Sequence, residues 1–214
     1  MVVPVPSQDN PLGYSVVSFE SDRFWYTAYS SFISHLRYIF DMIRAQKELM
    51  RLYRTDSLTG LLNRNGFYAV MEKLFRSPNV EMLTIISLDM FQFKKINDNF
   101  GHAEGDFALE RIGQFIKQSI EEGDIATRNG GDEFLIVLYQ KDQMKRAQEI
   151  VANLQEKAFI FNESKEKEYK LIFSVGVYTE STKDHSLDYF LREADRRMYE
   201  HKNRQRAEKK EGES

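Results

Sequence analysis

Apolar residues recur every seven positions from Trp25 to Tyr53. Trp25, Phe32, Ile39 and Tyr53 occupy one position of the repeat, Tyr29, Leu36, Ile43 and Met50 occupy a second, and Gln46 alone interrupts the seam. A period of 3.5 favours a parallel coiled coil, in which one polar core residue fixes register; a single helix packed on its own domain is the alternative. Ser21, with Asp22 beside it, reads as the N-cap. Upstream, residues 1–12 are rich in Pro, Ser, Gln and Asn, and Gly13 to Glu20 reads as a strand with no evident partner, the remnant of a preceding domain. Beyond Tyr53 the pattern predicts a helix over 65–76, a strand over 83–89, a helix over 98–121, a hairpin over 124–139, a helix over 142–157, a strand over 170–178 and a last helix over 187–204. That order is β-α-β-β-α-β with additions, an α/β (α+β) split βαβ arrangement whose mixed or antiparallel sheet carries helices on one face. The chain thus divides into a lead at 1–20, a signalling helix at 21–53, a domain at 54–206 and a charged, frayed tail at 207–214.

Composition narrows the class. With 42% hydrophobic and 29% charged residues in 214, the chain is ordinary for one buried domain plus an appendage. A formal charge of −3 argues against a broad nucleic-acid surface and leaves room for a local cationic pocket. There is no cysteine, and His35, His102, His185 and His201 lack metal-ligand spacing, so any metal is hard and oxygen-bound. No signal peptide or membrane span is evident, since His35, Arg37 and Asp41 interrupt the stretch from Tyr26 to Ile43. The expectation is a cytoplasmic chain with no membrane segment of its own, whatever precedes it.

The chemistry concentrates in two places. Asn129-Gly130-Gly131-Asp132, set between two apolar runs, supplies the positive-φ residues of a tight hairpin, and backbone without side chains lets a polyanion approach. Asp132 and Glu133 follow directly, and Asp89 ends the preceding strand. If those strands are neighbours, the two aspartates converge on a cation such as Mg²⁺, which takes one or two carboxylates and completes its shell with water and substrate phosphate. Met90, Phe91, Gln92 and Phe93 then present backbone N–H groups at a helix start, where phosphate is favoured.

Together with Asp56-Ser57-Leu58-Thr59-Gly60-Leu61-Leu62-Asn63-Arg64, Phe173-Ser174-Val175-Gly176-Val177 and Ala194-Asp195 through Met198-Tyr199 to Lys202, these motifs resemble the GGDEF family of diguanylate cyclases over about residues 54–206. The resemblance implies the palm-like fold of nucleotidyl cyclases and condensation of two GTP into cyclic di-GMP and two pyrophosphates by an antiparallel homodimer. It assigns metal binding to Asp89, the Met90 carbonyl and Asp132, with two Mg²⁺ (or Mn²⁺) per site. Asp132 is the candidate general base, Glu133 a supporting carboxylate, and Lys94 a stabiliser of charge at the α-phosphoryl group. Asn97 and Asp106 would read guanine and His102 would assist, while Phe91, Gln92, Phe93, Gly131, Lys202 and Arg206 would hold the phosphates. Phe91 replaces a frequent second Asp, His201 and Gln205 replace small residues beside Lys202, and Glu121-Glu122-Gly123-Asp124 stands where many members carry the Arg-x-x-Asp product-inhibition motif. A catalytically silent nucleotide-binding module and an enzyme with an adenine-containing product are the competing expectations. An upstream sensor is the implied regulatory partner.

Overall fold

The computed structural model describes residues 2–5, 13–16, 23–77 and 80–212. The expected cap at Ser21, residues 17–20 of the expected strand, the Trp25 side chain and residues 213–214 of the tail lie outside the described part. Contacts divide the chain into Met1–Leu52 and Tyr53–Ser214.

In the first unit, β1 (Val2–Val5) pairs antiparallel with β2 (Gly13–Val16), Val2 opposite Val16. The strand read as lacking a partner therefore has one, four residues long and hidden by Pro4, which removes a backbone donor and weakens the strand signal. Helix α1 (Arg23–Arg54) carries the heptad. Along it Phe32, Ile39, Ile43 and Met50 are exposed, Tyr29 and Leu36 are half-buried, and Ile33, off the repeat, is buried.

In the second unit four strands form one antiparallel sheet in the order β4-β5-β3-β6: β3 (Met82–Met90), β4 (Ile125–Gly130), β5 (Glu133–Leu138) and β6 (Phe173–Ser181). The helices are α2 (Arg64–Phe75), α3 (Phe93–Phe100), α4 (His102–Ser119), α5 (Gln143–Ser164) and α6 (Leu187–Gly212). Helices lie on both faces of the sheet, not one. Alternate residues of each strand point opposite ways. Ile86, Leu88, Met90, Phe134, Ile136 and Leu138 bury against α4 and α5, whereas Leu83, Ile85, Leu135 and Val137 bury against Phe67 and Met71 of α2 and Phe190 and Ala194 of α6. A strand apolar at both parities needs two covers, which Leu83 and Ile85 on one side and Ile86 and Leu88 on the other already required.

Boundaries moved for local reasons. Gly101, at φ 88, splits the single helix expected over 98–121 into α3 and α4, because a left-handed residue ends one helix and lets the next start at a new angle. Helix α6 continues through Gly212, past the point where fraying was expected. No described helix is long and apolar enough to cross a membrane.

Candidate functional site

The site lies where β3 ends and β5 begins. The two strands are neighbours, with Asp89 opposite Glu133 and Leu88 opposite Phe134, and the Met90 N–H donates to the Asp132 carbonyl at 3.3 Å. Asp89, Asp132 and Glu133 thus occupy one corner, as the sequence required for two carboxylates to share a cation. The turn between β4 and β5 leaves Gly131 at φ 54 and Gly130 at φ 149, and a Cβ at either would meet nothing within 4 Å. Both glycines are exposed, so the approach to the carboxylates is open.

Arg128 fastens this turn. Its Nε donates to the Gly131 carbonyl at 2.9 Å, and its Nη1 donates to both oxygens of Asp56 at 3.3 and 3.2 Å. Asp56 in turn accepts from the Thr59 N–H at 2.8 Å and the Thr59 hydroxyl at 2.7 Å. Burial pushes the Asp56 carboxyl upward, but the Thr59 hydrogen bonds and the Arg128 charge outweigh it and hold its pKa below the usual range. The sequence alone assigns neither Asp56 nor Arg128 a role. Its signal was an arginine just before a two-glycine turn, with no way to see an acid 72 positions earlier.

Asp89 is buried, and its Oδ1 accepts from Lys202 Nζ at 2.6 Å. Lys202, expected on phosphate, is paired here with Asp89, and its charge also reaches Asp132. Burial, then the Asp89 charge, raises the Asp132 pKa; burial, then the Asp195 charge, raises that of Glu133. At Asp132 the charges of Lys202 and Arg128 oppose this rise without cancelling it. Among the described residues no three His, Asp or Glu side chains converge as a metal-binding group. The donor set is two carboxylates, which fits a hard cation that takes its other ligands from water and phosphate.

The remaining predicted residues are distributed around this corner. Of the backbone donors expected at the helix start, Met90 is engaged by Asp132, and Phe91 donates to the Ile172 carbonyl at 2.8 Å, so neither is available as drawn. The amides of Phe93 and Lys94 begin α3, where no helical carbonyl can serve them. Gln92 precedes them at φ 62, a left-handed conformation, and Lys94 is exposed. Asn97 lies against Gly105, where a Cβ would come within 2.0 Å of its Oδ1. His102 and Asp106 are exposed on the first turns of α4, and Arg206 is exposed one turn beyond Lys202. The segment Glu121 to Asp124 faces Arg146 of α5, which donates to the Glu121 carboxylate and to Asp124 Oδ2 at 2.6 Å.

The family profile described as diguanylate cyclase, GGDEF domain, matches residues 53–208. Diguanylate cyclase A of Treponema denticola is 27% identical over 210 residues, 94% of this chain and 56% of that protein. The probable diguanylate cyclase DgcJ of Escherichia coli is 33% identical over 189 residues, 86% of this chain and 36% of that protein. The chain thus spans from about a third to just over half the length of these two relatives. Among solved structures, a truncated TpbB (YfiN) from Pseudomonas aeruginosa comprising only its GGDEF domain superposes with a TM-score of 0.60 at 30% identity, over 70% of this chain and 89% of that one. The profile, the shared fold and the carboxylate corner agree, and the chain belongs to the GGDEF family of diguanylate cyclase domains.

Proposed function

We propose that this protein condenses two GTP into cyclic di-GMP and two pyrophosphates, each domain of an antiparallel homodimer holding one GTP. The observation that carries this is the placing of Asp89 and Asp132 at adjacent strand ends beside an open two-glycine turn. In each of two successive steps the 3′-oxygen of one GTP bonds to the α-phosphorus of the other. The bond from that phosphorus to the bridging oxygen breaks, and pyrophosphate leaves. The 3′-hydroxyl proton passes to the Asp132 carboxylate, whose raised proton affinity suits a base. Diguanylate cyclases of this family generally use divalent ions, and Asp89, Asp132 and the Met90 carbonyl would hold two Mg²⁺ (or Mn²⁺), which supply charge neutralisation and an acidified hydroxyl when bound.

Lys94, and Lys202 once it leaves Asp89, would face the phosphates, with Arg206 beside them. Phe93 and Gly131 would present backbone to the same phosphates. Glu133 supports the corner by its charge. Asp106, exposed and ready to accept, would take both N1–H and the exocyclic amine of guanine, with Asn97 and His102 at its flank; adenine offers no N1 donor. Replacing Asp106 with Ser should widen use from GTP toward ATP, and undiminished GTP selectivity would count against this assignment. The exposed Phe32, Ile39, Ile43 and Met50 of α1 support a helix that pairs two copies and passes an upstream signal. At the usual inhibition motif, Glu121 and Asp124 are both paired with Arg146, which supports the expectation that product does not inhibit through that segment.

The test is incubation with GTP and Mg²⁺ beside an Asp132→Ala control, with products resolved by chromatography and mass. Cyclic di-GMP from the parent alone is expected. GTP binding by a confirmed dimer without product would favour the silent module.

A further inference from the structure

β6 is an edge strand, paired with β3 on one side. Edges with free donors and acceptors invite unwanted pairing, and proteins cover or cap them. Here the cover comes from side chains of α6. Arg197 Nη1 donates to the Val177 carbonyl at 2.7 Å, the Val175 N–H donates to His201 Nδ1 at 2.9 Å, and Gln205 Nε2 donates to the Phe173 carbonyl at 2.9 Å. Gln205 also accepts from the Ser174 hydroxyl at 2.7 Å. The rungs fall every fourth residue on the helix and every second on the strand, running in opposite directions. Four helical residues rise about 6 Å and two strand residues about 6.6 Å, so the two repeats match.

A second feature brings the helix close enough. A Cβ on Gly176 would lie 2.1 Å from the Ala194 carbonyl oxygen and 2.3 Å from the Met198 nitrogen, so α6 rests on the strand backbone itself. That close seat, with Phe190 and Ala194 buried beside it, holds the helix against the strand. Hydrogen bonds of fixed geometry add a register along it.

We infer that Arg197, His201 and Gln205 form a ladder that stands in for a further strand at the β6 edge and fixes the register of α6, making His201 and Gln205 positioning residues for Lys202. Lys202 lies directly after His201 and three residues before Gln205, so the last two rungs bracket the lysine that meets Asp89. A slip of one residue would carry Lys202 about 1.5 Å along the axis and about 100° around it, away from Asp89. His201 and Gln205 look out of place in sequence because their partner is strand backbone, not nucleotide. The inference rests on the reading of Lys202 as a phosphate contact given above.

The experiment compares GTP turnover of His201→Leu, His201→Asn, Gln205→Met, Lys202→Ala and the His201→Leu/Lys202→Ala pair, with amide exchange at Val175 as a second readout. Removing the acceptor in His201→Leu should raise the KM for GTP about tenfold, the size of one charged hydrogen bond, with a smaller change in kcat, and should speed Val175 exchange. Asn places Oδ1 where Nδ1 lies, so His201→Asn should restore both readouts. Gln205→Met tests the next rung independently and should raise KM in the same way. On the Lys202→Ala background His201→Leu should add nothing. If Lys202→Ala raises KM but His201→Leu and Gln205→Met leave it unchanged, or if their effects add in full to it, the positioning role is overturned while the role of Lys202 stands. If Lys202→Ala binds GTP as the parent does, the assignment of Lys202 fails and the positioning role with it.

Discussion

The two ends of the central sheet treat charge in opposite ways. At the end where β3 finishes, Asp89 pairs with Lys202, and the Asp132 and Glu133 pKa values are pushed up by burial and by neighbouring carboxylates. At the other end, seven residues back along β3 and about 23 Å away, a hollow of about 1110 Å³ is lined by Met82, Asp124, Tyr139, Gln143 and Arg146. There the charges answer one another: Arg146 satisfies Glu121 and Asp124, and Gln143 links the Thr84 hydroxyl to the Met82 carbonyl. The hollow pairs its arginine with acids of the same chain, whereas the carboxylate corner keeps two acids of raised proton affinity. Perturbed carboxylates, not the presence of a hollow, mark the candidate site.

Disabling the carboxylate corner gives the largest effect. Asp132→Ala should lower the rate of cyclic di-GMP formation by about 10²–10⁴-fold, the range for loss of a positioned base, as read by product formation in single-turnover mixtures. Next in size is the clamp on the turn. Asp56→Asn should destabilise the fold by about 1–3 kcal/mol in denaturant melts, since it weakens a charged, half-buried pair. The sign with pH follows from the lowered pKa. Stability from ionised Asp56 is present above its unfolded pKa and is lost as pH falls through the folded value, so the parent should lose stability in acid more steeply than Asp56→Asn.

At the matched end, Arg146→Ala should cost about 1–2 kcal/mol by leaving two acids uncompensated, while turnover per folded molecule stays at the parental level. The smallest effect has the opposite sign. In buffer free of divalent ions, Asp132→Asn should raise Tm by a few degrees, because it removes one of two crowded negative charges. A fall in Tm would mean that the corner is already balanced.

Much of this was legible in the sequence, and what escaped has a common cause. The glycine turn and the strand-end aspartates are local patterns and appeared where their residues predicted, while the order of elements held apart from the split at Gly101. Asp56 with Arg128, Arg146 with Asp124, and His201 with Val175 are pairs far apart in sequence, with no spacing rule to join them. The second helical layer was readable, since Leu83 to Leu88 is apolar at both parities, but the order β-α-β-β-α-β drew attention to one face only. The amides of Met90 and Phe91 were misjudged because a strand end can still pair with neighbours such as Asp132 and Ile172.

The most direct test of the contrast is calorimetric titration with a GTP analogue bearing a methylene bridge between the α and β phosphorus atoms, with and without Mg²⁺. It would compare the parent, Asp132→Asn and Glu121→Gln. Affinity that rises with Mg²⁺ in the parent and in Glu121→Gln, but not in Asp132→Asn, is the result expected of a cation site at the β3 end. Binding indifferent to Mg²⁺ in the parent, or a Mg²⁺ response that survives Asp132→Asn and disappears in Glu121→Gln, would contradict it.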